Sequence, residues 1–234
     1  MRLATAKSLL PVVGAALPEP VLMGLEESEE GQMLWEDKLR DWVERASVIA
    51  IGCGLRTGIQ GAQLLEEVLR HRRSPLILDA DGINLLAQWP ELLDRLGPEC
   101  LITPHPLEFS RLTGRPVAEI EGNRIQAARE FAQRTGALVL LKGSRTVVAA
   151  PDGRFYVNHT GNSGLAKGGS GDVLTGIILA LLAQGYDPST AAVLANYFHG
   201  EAGDLFAARS SETALIASDI IDNLPEVFKS FEDR

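Results

Sequence analysis

Short β-rich apolar runs alternate with amphipathic helical stretches along most of this 234-residue chain, and few folds accept that alternation. Runs of valine, leucine and isoleucine this short suit buried parallel strands, and the helical stretches between them supply crossovers. The expected architecture is α/β: a three-layer αβα sandwich with a mostly parallel central sheet and helices on both faces. Strands are expected over 21–25, 48–51, 76–79, 101–103 and 138–141. Two more, 147–150 and 155–158, flank Pro151-Asp152-Gly153, whose turn residues favour a hairpin. Helices are expected over 32–46, 62–72, 106–112, 122–134, 172–184, 188–208 and 218–231, with Asp187 or Ser189 and Ser218 as caps. No repeat, low-complexity segment or linker interrupts the pattern, so residues 1–234 read as a single domain.

Composition narrows the partners. Hydrophobic residues make up 45% and charged residues 23%, as in soluble globular proteins, and the net charge is −9 without any basic run. Nucleic acid is therefore excluded as the main partner, and a polyanionic ligand would have to be held locally by backbone N–H groups and a few cations. Cys53 and Cys100 follow no metal spacing and are expected as buried free thiols, which fits a cytoplasmic protein. Pro11, Pro18 and Glu19 interrupt any signal-like stretch, and no apolar run reaches membrane-spanning length.

Polar and glycine signals gather just beyond the carboxyl ends of the expected strands, the edge where open α/β sheets bind ligands. Gly52-Cys53-Gly54 follows the second strand and suits a tight turn or a pyrophosphate cradle. Asp79 and Asp81 follow the third, placed either to hold a hydrated magnesium ion or, for Asp81, to cap a short helix. Thr103-Pro104-His105-Pro106 follows the fourth, and its two prolines stiffen the backbone that presents His105. Lys142, Gly143, Ser144, Arg145 and Thr146 follow the fifth, offering two cations and two hydroxyls to phosphate oxygens.

The densest signal runs from Gly161 to Gly171, where glycines crowd in front of a strongly apolar helix pattern. Bare N–H groups at a helix start attract anions, because they lack intrahelical partners and the helix dipole adds positive potential. Gly169-Ser170-Gly171 thus reads as an anion cradle. Asp172 stands beside it as a carboxylate that must act on a proton or a metal. Asn162 and Lys167 lie in the same loop and offer an amide and a charge.

With those segments in order, the chain resembles the bacterial ADP-dependent NAD(P)H-hydrate dehydratases of the ribokinase-like superfamily. The resemblance is carried by Ile-Gly-Cys-Gly at 51–54, Leu-Asp-Ala-Asp-Gly-Ile-Asn-Leu-Leu at 78–86, Thr-Pro-His-Pro-Leu-Glu at 103–108, Leu-Lys-Gly-Ser-Arg-Thr at 141–146 and the glycine stretch at 161–176. The resemblance implies a nicotinamide-nucleotide repair enzyme. ADP would phosphorylate the hydroxyl of hydrated NADH or NADPH, and elimination of phosphate, a far better leaving group than hydroxide, would restore the dihydropyridine. It also implies roles for residues: Asp172 as base; Gly169, Ser170 and Gly171 at the transferred phosphoryl group; Gly54, His105, Asn162 and Asp172 toward the hydrate. Lys142, Gly143, Ser144, Arg145, Thr146 and Gly171 would hold the nucleotide. Magnesium would bridge phosphates, with no protein residue assigned as its ligand, and the assembly would be a homotetramer.

The chain departs from the family pattern at Ser163, Lys167 and Arg56, where proline, threonine and glycine are usual; Arg56 would narrow the substrate edge or add a phosphate contact. The resemblance also implies an opening of about forty residues ahead of Met1, whose absence would leave two strand edges and apolar surface uncovered. Two other readings share part of the pattern. A small-molecule kinase of the same superfamily, acting on a thiazole or pyrimidine alcohol, has Gly-x-Gly-Asp but does not account for the 78–86 and 103–108 motifs together. A truncated, inactive nucleotide-binding form has no need of Asp172.

Overall fold

The computed structural model describes residues 1–232; positions 233 and 234, which the domain expectation includes, lie outside the described residues. The elements follow one another as β1 Arg2–Ala6, α1 Leu10–Ala16, β2 Val21–Leu25, α2 Asp37–Arg45, β3 Ile49–Ile51, α3 Ile59–His71, β4 Leu76–Leu78 and α4 Asp81–Gln88. Next come β5 Cys100–Ile102, α5 Pro106–Thr113, α6 Val117–Gly122, α7 Arg124–Thr135, β6 Leu138–Leu141, β7 Val147–Ala149 and β8 Phe155–Val157. Three helices close the described chain: α8 Ser170–Ala183, α9 Pro188–Arg209 and α10 Ala217–Glu232. No helix among the described residues is long and apolar enough to cross a membrane.

Six strands form one sheet in the order β3-β4-β5-β6-β7-β8. The pairs from β3 to β6 are parallel, and β6-β7 and β7-β8 are antiparallel. The β7–β8 hairpin turns at the expected Pro151-Asp152-Gly153. β1 and β2 pair in parallel as a separate two-stranded sheet, and β3 is laddered to β4 alone.

The strands alternate between two cores, because successive strand side chains leave opposite faces. Leu76, Leu78, Ile102, Val139, Leu141, Val147 and Ala149 face α2 to α7, whereas Ile77, Leu101, Leu138, Leu140 and Val148 face α8, α9 and α10. Strands buried on both faces read as unbroken apolar runs, and that is how these runs stood out in the sequence. The sheet is thus the middle of three layers. Its parallel edge delivers Gly52, Asp79, Thr103 and Lys142 to one side of the molecule.

Several helical expectations are corrected. The segment 32–46 is helical only from Asp37, because Gly31 takes φ +73° and Met33 bridges back to Glu27, making the start of the segment an ordered loop. The stretch 122–134 divides at Asn123, whose φ of −150° breaks the helix between α6 and α7. At α9 the cap is Asp187, whose carboxylate accepts from Ser189 N and Thr190 N. At the start of α10 Asp219, rather than Ser218, accepts the Ile216 amide.

Candidate active site

The site is assembled where β3, β4 and β6 end and α8 begins. β4 leads into Asp79, which is 2% exposed, and Ala80 follows with φ +47°, a rare conformation for a residue with a side chain. Gly52, just beyond β3, runs so close that a Cβ there would lie 1.8 Å from the Asp79 carbonyl oxygen. Only glycine fits that turn.

Asp79 is the hub. Its Oδ1 accepts from Lys142 Nζ at 2.9 Å and from Ala80 N at 2.9 Å, and its Oδ2 accepts from Thr175 Oγ1 at 2.8 Å. A buried carboxylate with this many donors is compensated. The pair also parks the Lys142 ammonium over the first turn of α8: a Cβ on Gly171 would lie 3.3 Å from Nζ. Helix-start amides and a fixed cation therefore converge on one point, as an anion site requires.

Gly169 starts α8 in the left-handed region at φ +86°, and Asp172 follows in the first turn with its carboxylate exposed. Cys53, Asp79 and Asp172 bring their ligand-capable atoms within 4.8 Å of one another. Asp81 is not part of this group, because its Oδ2 accepts from Arg56 N. Asp81 thus fastens the Arg56 backbone at the turn after β3, and Ala80 rather than Asp81 stands at the cap position of α4. Cys53 was expected to be buried but is exposed in the cleft. Loss of water within the cleft and a hydrogen bond to Asp172 push its thiol up to about 12, so the thiol stays protonated and donates to that carboxylate.

Arg124, at the start of α7, was missed by sequence reasoning. Its guanidinium donates to the Ser144 and Leu141 carbonyls and so braces the Lys142–Thr146 loop. Within that loop Arg145 sits at φ +59°, and the Thr146 hydroxyl donates to the Gly143 carbonyl at 3.1 Å. His105 is held by its own helix: Nδ1 accepts from Leu107 N and Glu108 N, while the Glu108 carboxylate accepts from His105 N, closing a capping box on α5. Desolvation outweighs the Glu108 charge and lowers the His105 pKa. Gly54 borders open space beside Cys53. Arg56 turns its guanidinium to the carbonyls of Glu30 and Gly31.

The glycine loop itself is stitched to α9. Asn158 Nδ2 donates to the Asn196 carbonyl, Thr160 Oγ1 to the Tyr197 carbonyl, and Gly161 N to Asp204 Oδ2. Asn162 uses both ends of its amide inside the protein, Nδ2 donating to Asp204 Oδ1 at 2.8 Å and Oδ1 accepting from Gly164 N at 3.0 Å. Lys167 donates to the Thr213 carbonyl. Sequence reasoning missed Asp204, which carries no local motif, and gave Thr175 no role although it lies within the 161–176 stretch.

A family model described as NAD(P)H-hydrate dehydratase matches residues 13–226. The ADP-dependent (S)-NAD(P)H-hydrate dehydratase of Bacillus subtilis is 38% identical over 230 residues, covering 97% of this chain and 78% of that protein. The bifunctional NAD(P)H-hydrate repair enzyme Nnr of Moorella thermoacetica is 38% identical over 233 residues, and the chain spans only 44% of its length. Among solved structures, the ADP/ATP-dependent NAD(P)H-hydrate dehydratase of Bacillus subtilis co-crystallised with ATP and Mg2+ superposes with a TM-score of 0.77 at 33% identity, over 98% of this chain and 79% of that one. On a ribokinase-like fold, with these motifs gathered at one edge of its sheet, the chain belongs to the NAD(P)H-hydrate dehydratase family.

Proposed function

We propose that this chain is an ADP-dependent (S)-NAD(P)H-hydrate dehydratase, a carbon–oxygen lyase that returns hydrated NADH and NADPH to the reduced dinucleotides. The observation that carries the reading is the exposed Asp172 carboxylate one residue beyond Gly171, at a helix start over which Asp79 holds the Lys142 ammonium. A base and an anion cradle adjoin.

Asp172 removes the proton of the ring hydroxyl, whose oxygen then attacks the terminal phosphorus of ADP. The new O–P bond forms as the bond from that phosphorus to the AMP oxygen breaks. Charge on the moving phosphoryl group is met by the N–H groups of Gly169 and Gly171 and by Lys142, with Ser170 between them donating its own N–H to the Lys167 carbonyl. Phosphate then leaves with the C–O electron pair, and the neighbouring ring carbon gives up a proton to water, its C–H electron pair closing the double bond. Lys142, Gly143, Ser144, Arg145 and Thr146 line the nucleotide side and Gly54 and His105 border the hydrate side, while Asn162, its amide engaged with Asp204 and Gly164, braces the glycine loop.

The donor set fits magnesium held mainly by phosphates and water. Asp79 is committed to Lys142, Thr175 and the Ala80 amide, and the soft Cys53 sulfur suits other metals, so Asp172 is the carboxylate facing such an ion. When bound, magnesium neutralises charge on the nucleotide phosphates. The family resemblance also supports a homotetramer, and the sparse cysteine use supports a cytoplasmic location.

The reading is tested by product analysis. Hydrated NADH, ADP and magnesium incubated with the protein are expected to yield NADH, AMP and phosphate in equal amounts. A stable phosphorylated nicotinamide product would instead mark a kinase.

A further inference from the structure

His199 lies on α9, 7% exposed, and takes no part in the chemistry above. Its Nε2 is 3.0 Å from the Ser170 carbonyl oxygen and 3.1 Å from Ser170 Oγ. A carbonyl only accepts, so Nε2 carries the hydrogen and donates to it. Burial lowers the imidazole pKa to about 4, which keeps that neutral donor form in place at neutral pH. The serine hydroxyl hydrogen is consequently not spent on the imidazole.

The Ser170 carbonyl belongs to the same planar peptide as the Gly171 N–H, and in a trans peptide the two point in opposite directions. Fixing one therefore fixes the other. This matters at the start of α8, where the Gly171 amide has no intrahelical acceptor of its own and glycine at 168, 169 and 171 allows the backbone more conformations than other residues would. The chain reaches this point from a loop that α9 also pins, through the Asn196 and Tyr197 carbonyls and through Asp204.

We propose that His199 is a positioning residue for the phosphoryl cradle: by donating from Nε2 to the Ser170 carbonyl, it aims the Gly171 amide at the transferred phosphoryl group. Its catalytic consequence rests on the dehydratase reading, while its structural consequence does not. The cradle is pre-organised from the far side of the peptide, by a buried donor on a different helix. No substrate contact is needed.

The test compares His199→Leu, which removes the donor, with His199→Gln, whose side-chain amide places an N–H where Nε2 lies. The first readout is the backbone order of the Gly171 amide by nitrogen-15 relaxation in the ligand-free protein. Wild type and His199→Gln are expected to show a rigid order parameter near ~0.85, and His199→Leu a flexible one below ~0.6, with the cores still folded. The second readout is turnover of hydrated NADH. His199→Leu should lose about tenfold to a hundredfold in kcat with little change in KM for ADP, and His199→Gln should recover most of it. A rigid Gly171 in His199→Leu, or a His199→Gln protein as impaired as His199→Leu, would overturn the proposal. If wild type itself fails to turn over hydrate, the dehydratase reading fails, and the order measurement alone still decides the role of His199.

Discussion

Lys142 reaches from the end of β6 to Asp79 at the end of β4, its Nζ 2.9 Å from an Asp79 oxygen that is almost wholly shielded from water. The pair joins two strands to the first turns of α8, since Thr175 donates to the other Asp79 oxygen. One buried carboxylate thereby sets where the cation of the 142–146 loop stands.

Replacing Asp79 by asparagine should cost stability as well as activity. The change leaves the Lys142 ammonium without its counter-charge in a mostly buried position, and breaking such pairs costs about 3 kcal/mol. Urea unfolding should show a lower midpoint with an unchanged slope. Asp79→Asn with Lys142→Met should cost less than the sum of the two single changes, because the doubly altered site holds no unpaired charge.

Asp172→Asn removes the proposed base while leaving the anion cradle in place. Turnover of hydrated NADH should fall by at least about a hundredfold, while ADP binding by calorimetry stays near wild type. Equal loss of binding and turnover would assign Asp172 to the nucleotide instead.

Cys53 should react slowly with disulfide reagents at mildly alkaline pH, because its thiol is pushed up to about 12. Asp172 contributes to that shift both through a hydrogen bond and through its charge, so Asp172→Asn should lower the thiol pKa and speed labelling. Labelling at the rate of a free thiol in the unaltered protein would contradict the contact between Cys53 and Asp172.

Acid should destabilise the fold in a definite window. His199 is held neutral, with its pKa lowered to about 4 from 6.5, so the folded state binds fewer protons than the unfolded state between those values. Its contribution is complete above pH 6.5 and is lost as pH falls toward 4. His105 is shifted in the same direction and adds to the trend. Urea midpoints measured from neutral to mildly acidic pH should fall for wild type and fall less for His199→Gln.

The layered fold was legible in the sequence because strands such as Leu76–Leu78 and Leu138–Leu141 are buried on both faces and read as unbroken apolar runs. The residues of the proposed site stood out for a related reason: Lys142 and Asp172 sit in short local motifs at strand and helix ends. The scaffold behind them was not. Asp204 meets Asn162 across 42 residues, and Arg124 meets Leu141 across 17, so no local pattern announces either contact. Gln32 misled the helix expectation because an apolar period continued into a loop whose shape is set by Gly31 and by the Glu27–Met33 bridge.

The most direct test of the account follows the near-ultraviolet absorbance of reduced nicotinamide when the protein meets hydrated NADH and magnesium, with and without ADP. Recovery of absorbance that requires ADP and disappears in Asp172→Asn is the predicted result. Absence of recovery with ADP, or recovery that survives loss of the carboxylate, would contradict the assignment of Asp172 and the α8 cradle to hydrate repair.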